Sequence, residues 1–256
     1  MCARLYCRLV KDALNEYAYD AEIAGLDYNL WPHSLGLDVE ISGYNDKIPL
    51  LLEKLLLKMR DLEITPDRFK VVKDKVMKEL RNLDFALPYN QVGEFARYLL
   101  SQHVWLNDDL RDELGNTTLE DVKAFFPQIV QQFHLEALIH GNLYKEVCIT
   151  HPHYHGESLT LRQDALRLAS LVETILKPRV LPPSQFTIRR SLIMPAGGKF
   201  IYSRPLRDEM NVNHCIEFSL YIGEHTDRAL RAKTFLFSQL TEEYDLNLQN
   251  VRILPC

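Results

Sequence analysis

The chain predicts an α+β fold with helices packed on a largely antiparallel sheet, and three features of its pattern carry that prediction. Apolar residues at helical spacing and apolar residues at alternate positions occur in separate blocks rather than in strict strand-helix alternation, which argues against a doubly wound parallel sheet. With 46% hydrophobic and 25% charged residues the chain is composed like an ordinary globular protein, long enough for one large domain or two modest ones. A proline cluster in "KPRVLPPSQ", made of Pro178, Pro182 and Pro183, divides the chain like an interdomain linker over 178–185.

Residues 3–23 are dense in good helix formers, with Tyr6, Val10, Leu14, Tyr17 and Ala21 near one face, and Gly25 stands where a helix commonly ends in a left-handed residue. This predicts one helix. "LDYNLW" and "GLDVEISGY" flank Pro32 to Ser34, and Leu37, Val39 and Ile41 alternate with Asp38, Glu40 and Ser42, the pattern of a β-hairpin with one face half-buried. Ile48, Leu51, Leu52, Leu55, Leu56 and Met59 then recur at helical spacing behind Asn45-Asp46 as start signal. The next helix opens on Thr65 as N-cap and Pro66 as its first residue, with Phe69, Val72, Val76, Leu80 and Leu83 on one side.

Shorter helices are expected over 91–102 and 106–114, and a longer one from Thr118 to Phe133, where Leu119, Val122, Phe126 and Ile129 repeat. "HLEALIHGN" reads as a strand ending in a turn, and 164–176 as a helix. Past the linker, "FTIRRSLIM", "KFIY" and "HCIEFSLYI" read as short strands, Gly197-Gly198 as a hairpin turn, and Thr226 to about Leu240 as a helix.

The net charge of -5 gives no basic field, so nucleic acid and anionic membrane surfaces are not expected partners. No run of eighteen apolar residues occurs, and charges recur every few positions near the amino terminus. Neither a spanning helix nor a secretory leader is therefore expected, and the expected compartment is cytoplasmic. Five cysteines without C-x-x-C spacing read as thiols rather than as a disulfide frame or a thiolate zinc site.

Three groups could carry chemistry. His151, His153 and His155 alternate within "EVCITHPHYHGESLTLRQDA" and have metal-capable side chains, but no H-E-x-x-H or H-x-x-E-H motif stands elsewhere to supply the further ligands of a catalytic zinc site. His214 and Glu217 begin like a zincin motif and end on Phe218, so a ligand is missing, and a strand would turn the two to opposite faces. His134, Glu136 and His140 fail the same templates. Arg189, Arg190, Arg204 and Arg207 have the geometry to grip a carboxylate or a peptide terminus, although dispersed arginines are more often ion-paired on the surface. There is no G-x-S-x-G, P-loop or dinucleotide fingerprint.

The long motifs "YCRLVKDALNEYAYDAEIAGLDYNLW", "GYNDKIPLLLEKLL", "ALIHGN", "LPPSQ" and "PLRDEMNVNHCIEFSLYIG" resemble the insulysin (insulin-degrading enzyme) group of M16 zinc metallopeptidases, the fungal form above all. The resemblance implies an M16 peptidase-like (LuxS/metallohydrolase-like) third-type domain over 1–177 and, over 186–256, the opening of a fourth domain of the same type, cut short. It also implies a parent enzyme of four homologous α+β domains in two bowl-like halves, a zinc ion as cofactor, and peptide substrates enclosed and hydrolysed between the halves. In such an enzyme the inverted H-x-x-E-H zinc motif lies in the first domain. No position here matches it, so the resemblance transfers no catalytic, cofactor-binding or metal residue. What it implies for this chain is a non-catalytic part of the substrate chamber that partners a catalytic N-terminal half. Two other readings stand beside it: a stand-alone binding or scaffold module paired with a separate catalytic chain, and an independent histidine-cluster metal protein.

Two segments depart from the family pattern. Residues 147–163 interrupt what is elsewhere a continuous strand, turn and helix. Seventeen residues are an in-frame length; Val147-Cys148 can be encoded by an intron donor sequence and Gln163 by an acceptor, so the segment is expected to be a retained intron translated in frame. The tail 244–256 is unlike the family's substrate-contacting segment after "LTEE" and is expected to be foreign. A fourth domain lacking its remainder leaves apolar faces uncovered, which predicts marginal stability for 186–256.

Overall fold

In a computed structural model of the chain, the described residues are 1–44, 47–140, 157–188, 190, 192, 195, 197–221, 226–242 and 251–254. The contacts divide the chain into two compact units, residues 1–74 with 116–187 and residues 75–115 with 188–256.

In the first unit, the single helix expected over 3–23 is two, α1 (Cys2–Ala13) and α2 (Asn15–Ile23), separated at Leu14. Leu5, Tyr6, Leu9 and Val10 line the buried side of α1, and α2 closes at Gly25, whose φ is +74°. There the Gly25 N–H donates to the Glu22 carbonyl at 2.9 Å and the Leu26 N–H to the Ala21 carbonyl at 2.9 Å, the paired bonds of a Schellman cap. The turn delivers Leu26 into a buried cluster with Ala21 and Leu51, flanked by Tyr17, Tyr28, Ile41 and Ile48.

The expected hairpin forms from β1 (Asp27–His33) and β2 (Gly36–Ser42), antiparallel with Leu30 opposite Val39 and Tyr28 opposite Ile41. Its turn is Ser34-Leu35 rather than 32–34, because Pro32 sits within β1 opposite Leu37. Leu30 is buried, while Val39 is exposed, so alternation in β2 alone overstates how much of that face packs.

α3 (Ile48–Arg60) buries Leu51, Leu55, Leu56 and Met59 and packs against α1, β2, α7 (Leu119–Gln131) and α8 (Glu157–Leu176). Removing each leucine side chain from water contributes about 1.5–3 kcal/mol, so this face is the main organiser of the unit. Asn45 and Asp46, the expected start signal, lie outside the described residues; Lys47 holds the cap position without a side-chain bond. α7 begins at a capping box in which Thr118 and Asp121 each accept from the other's backbone N–H. Tyr6 joins three elements: its ring stacks on Phe126 of α7 at 5.7 Å and 6°, and its hydroxyl donates to the Met59 carbonyl of α3 at 2.8 Å.

The strand expected at "HLEALIHGN" is absent among the described residues. It is replaced by a two-residue parallel pair just upstream, β3 (Gln132–Phe133) with β4 (Arg179–Val180). Leu138 is 94% exposed, so alternation there has no layer to pack on. α8 begins at Glu157, inside the segment 147–163, whose earlier residues lie outside the described set.

α4 (Pro66–Asn82) starts as expected, with the Phe69 N–H donating to the Thr65 carbonyl, and buries Phe69, Val72, Val76 and Leu80. Leu83 does not continue that face: the chain tightens to a 3-10 turn at Leu83–Phe85, and Leu83 is exposed. The second unit adds α5 (Pro88–Leu100), α6 (Asn107–Asn116), β5 (Phe218–Tyr221), α9 (Arg228–Glu242) and β6 (Val251–Leu254), with β5 and β6 paired in parallel. "FTIRRSLIM" and "KFIY" form no strand among the described residues, and of "HCIEFSLYI" only 218–221 does. The Gly197-Gly198 turn is present, with Gly197 at φ +74° and the Gly198 N–H donating to the Pro195 carbonyl, but among the described residues no paired strands flank it. Extended backbone without a partner row of N–H and C=O groups cannot complete a sheet, so the described strands form three short pairs rather than one broad sheet. No helix among the described residues is long and apolar enough to cross a membrane.

Candidate functional site

Among the described residues, a connected group of five charged side chains lies in the second unit. Asp84, in the 3-10 turn, and Asp108 and Arg111, one helical turn apart on α6, meet Arg204 and Arg207 from a stretch without helix or strand. Arg111 bridges Asp84 and Asp108. Arg204 pairs with Asp108, and Arg207 reaches Asp84 at 2.9 Å and Asp108 at 2.6 Å. The Arg204 guanidinium also lies 5.2 Å from the Phe95 ring of α5, and Phe95 in turn meets Tyr202 at 5.9 Å.

Burial draws the Asp108 carboxyl upward, but the Arg204 hydrogen bond and the charges of Arg204, Arg207 and Arg111 outweigh it and leave the group below the ordinary carboxylate value. Three guanidinium groups against two carboxylates leave one net positive charge. Of the arginines expected to grip a carboxylate, Arg204 and Arg207 do so, and their carboxylates come from this chain. Arg190 contributes its carbonyl, which accepts from the Gln102 N–H at 3.0 Å, and Arg189 lies outside the described residues. Sequence reading did not point to Asp84, Asp108 or Arg111. Only the Asp108–Arg111 spacing on one helix face could have signalled part of the network.

The described histidines do not assemble. His151, His153 and His155 lie outside the described residues. His134 Nε2 stands 3.4 Å from Glu136, while His134 also packs on Phe186 at 4.6 Å. His214 and Glu217 precede β5 rather than lying in a strand. Among the described residues no three His, Cys, Asp or Glu side chains converge as a metal site needs, and a catalytic zinc takes three protein ligands. The described donors therefore do not fit the zinc ion that the sequence resemblance implies for the parent enzyme.

Residues 1–113 match the family model described as the middle or third domain of peptidase M16. Human insulin-degrading enzyme is 37% identical over 219 residues, covering 84% of this chain and 20% of its own length. The A-factor-processing enzyme of Saccharomyces cerevisiae is 30% identical over 245 residues, 95% of this chain and 22% of its own. The chain belongs to the insulysin-like M16 family. A Schizosaccharomyces pombe protein provisionally named a zinc protease is 32% identical over 239 residues, 93% of this chain and 23% of its own. The crystal structure of pitrilysin aligns with a TM-score of 0.57 over 69% of this chain and 17% of its own, at 21% identity, a likeness of fold alone. This M16 chain thus spans about a fifth to a quarter of the length of the curated relatives it matches.

Proposed function

We propose that the chain is a non-catalytic, C-terminal-half part of an insulysin-like zinc metalloendopeptidase, supplying wall to a chamber that encloses peptide substrates. The observation that carries this reading is the match of residues 1–113 to the middle or third domain of peptidase M16. Zinc belongs, in this reading, to a catalytic N-terminal M16 half, where it would activate water for attack on a peptide carbonyl. This chain contributes surface and enclosure, which raise the rate by orienting the substrate rather than by bond chemistry. The proposed compartment is the cytosol, and 147–163 is proposed to be an in-frame intervening segment. Related transcripts that carry the same segment would exclude the latter.

The test uses the full chain and a quenched fluorogenic peptide. Alone, with or without added zinc, it should give no hydrolysis above buffer. Mixed with the separately expressed N-terminal half of an insulysin-like enzyme, it should co-elute on gel filtration and raise that half's turnover. Zinc-dependent hydrolysis by the chain alone would overturn the non-catalytic assignment, and independent elution without stimulation would overturn the partnership.

A further inference from the structure

Residues 202–207 enter no helix or strand, yet Asp84, Asp108 and Phe95 hold them within their own unit. Arg204 and Arg207 are clasped by Asp84 and Asp108, Arg111 fills the space between the two carboxylates, and Phe95 backs Arg204 and Tyr202. The surrounding residues add little apolar anchorage: Phe200, Ile201 and Met210 are all exposed, Ile201 at 80% and Met210 at 90%. The backbone hydrogen bonds nearby are local ones, such as Asn211 N–H to the Asp208 carbonyl at 3.1 Å. Attachment of this stretch therefore combines its ion pairs with the Tyr202–Phe95 ring contact and the half-buried Leu206, and the ion pairs are the part that salt weakens.

We propose that residues 202–207 act as an ionic strap, docked on α5, α6 and the Leu83–Phe85 turn at low ionic strength and released by salt, so that Phe95, half-buried when the strap is docked, becomes more exposed on release. The partners differ in exposure in the way a releasable contact requires. Arg111 and Asp84 form the sheltered base, with side chains 12% and 18% exposed, whereas Arg207 is 48% exposed and sits at the edge where ions reach it first. Exposed charges are screened beyond about 8 Å at physiological salt and beyond about 3 Å at molar salt, so contact pairs weaken only as salt approaches the molar range. The three strap pairs weaken together because Asp108 serves both arginines.

Limited trypsin digestion of the full chain tests this. The bonds after Lys199 and Arg207 lie at either side of the strap, while the bond after Arg204 precedes Pro205 and resists cleavage. With rates normalised to a free peptide in the same buffer, cleavage after Arg207 should accelerate roughly fivefold or more between about 0.05 and 1 M sodium chloride. Asp108→Asn should bring the low-salt rate up to the high-salt one and flatten the salt response. A rate after Arg207 that does not change with salt in the unaltered chain overturns the strap, whatever the variant does. An Asp108→Asn chain that keeps the unaltered low-salt rate overturns it as well.

Discussion

Replacing Tyr6 by Phe removes one oxygen atom from the point where three elements of the first unit meet. Tyr6 is fully buried, and its hydroxyl donates at 2.8 Å to the carbonyl of Met59, a residue in the last turn of α3 where carbonyls have no intrahelical donor. An ordinary hydrogen bond contributes about 1 kcal/mol net, but a buried acceptor left unsatisfied costs about 1–3 kcal/mol. Tyr6→Phe should therefore destabilise the first unit by about 1–2 kcal/mol while leaving the ring stacked on Phe126. Tyr6→Leu loses the stack too, worth about 0.5–1.5 kcal/mol beyond area, and adds a cavity, so its total should be about 3–4 kcal/mol. Trp31 is in β1 and the only other tryptophan is Trp105, so a Trp105→Phe background makes fluorescence report the first unit alone. In urea, with a slope of roughly 1–3 kcal/mol per M, Tyr6→Phe should lower the midpoint by roughly 0.5–1 M without changing the slope. A midpoint shift indistinguishable from zero would refute the reasoning, because the Met59 carbonyl would then have to be satisfied without Tyr6.

The cap of α7 gives a second expectation: Thr118→Ala should cost about 1 kcal/mol. Asp121, held below its ordinary carboxyl value first by the Thr118 backbone N–H and then by the Thr118 hydroxyl, should make that cap strongest above the ordinary value of 3.8 and weaken it as pH falls below; equal stability of the two chains at neutral pH would contradict this. Gly43→Ala should destabilise more than Gly25→Ala. At φ +132° a new Cβ would stand 2.5 Å from the Gly25 carbonyl, whereas at Gly25 it meets the exposed, movable ring of Tyr44; urea midpoints in the reverse order would reject the assignment. Burial pushes the Cys7 thiol up to about 12 despite Lys11 and Arg8, so iodoacetamide in mildly alkaline buffer should leave Cys7 unmodified in the native chain and label it in urea, as peptide mass mapping would show.

Local patterns set by nearest neighbours are legible in the order of residues itself. The Thr65-Pro66 start, the apolar stripe of α3, the hairpin and the left-handed Gly25 all follow from steric and periodic rules acting within a few residues. The same rules fail where pairing decides the state. "FTIRRSLIM", "KFIY" and "HLEALIHGN" alternate as strands should, but a strand exists only when another supplies its hydrogen-bond row, and that row comes from distant sequence. Leu14 likewise fits the stripe of one long helix, yet the chain breaks there into α1 and α2.

The long motifs of the chain are enough to point to the M16 family, because many residues in order constrain identity far more than any single spacing. Which arginines hold which carboxylates is a different matter. Asp84 and Arg207 are 123 positions apart, and neither carries a local mark of the other, since a surface ion pair imposes no periodicity on the sequence around it. That assignment needs the backbone to bring Asp84, Asp108 and Arg111 to one place, as does the joining of Tyr6 to Met59 and Phe126. Helix stripes, caps and turns are written in sequence because they are short-range; the strap, the buried tyrosine bond and the extent of the sheet are long-range and belong to the tertiary structure.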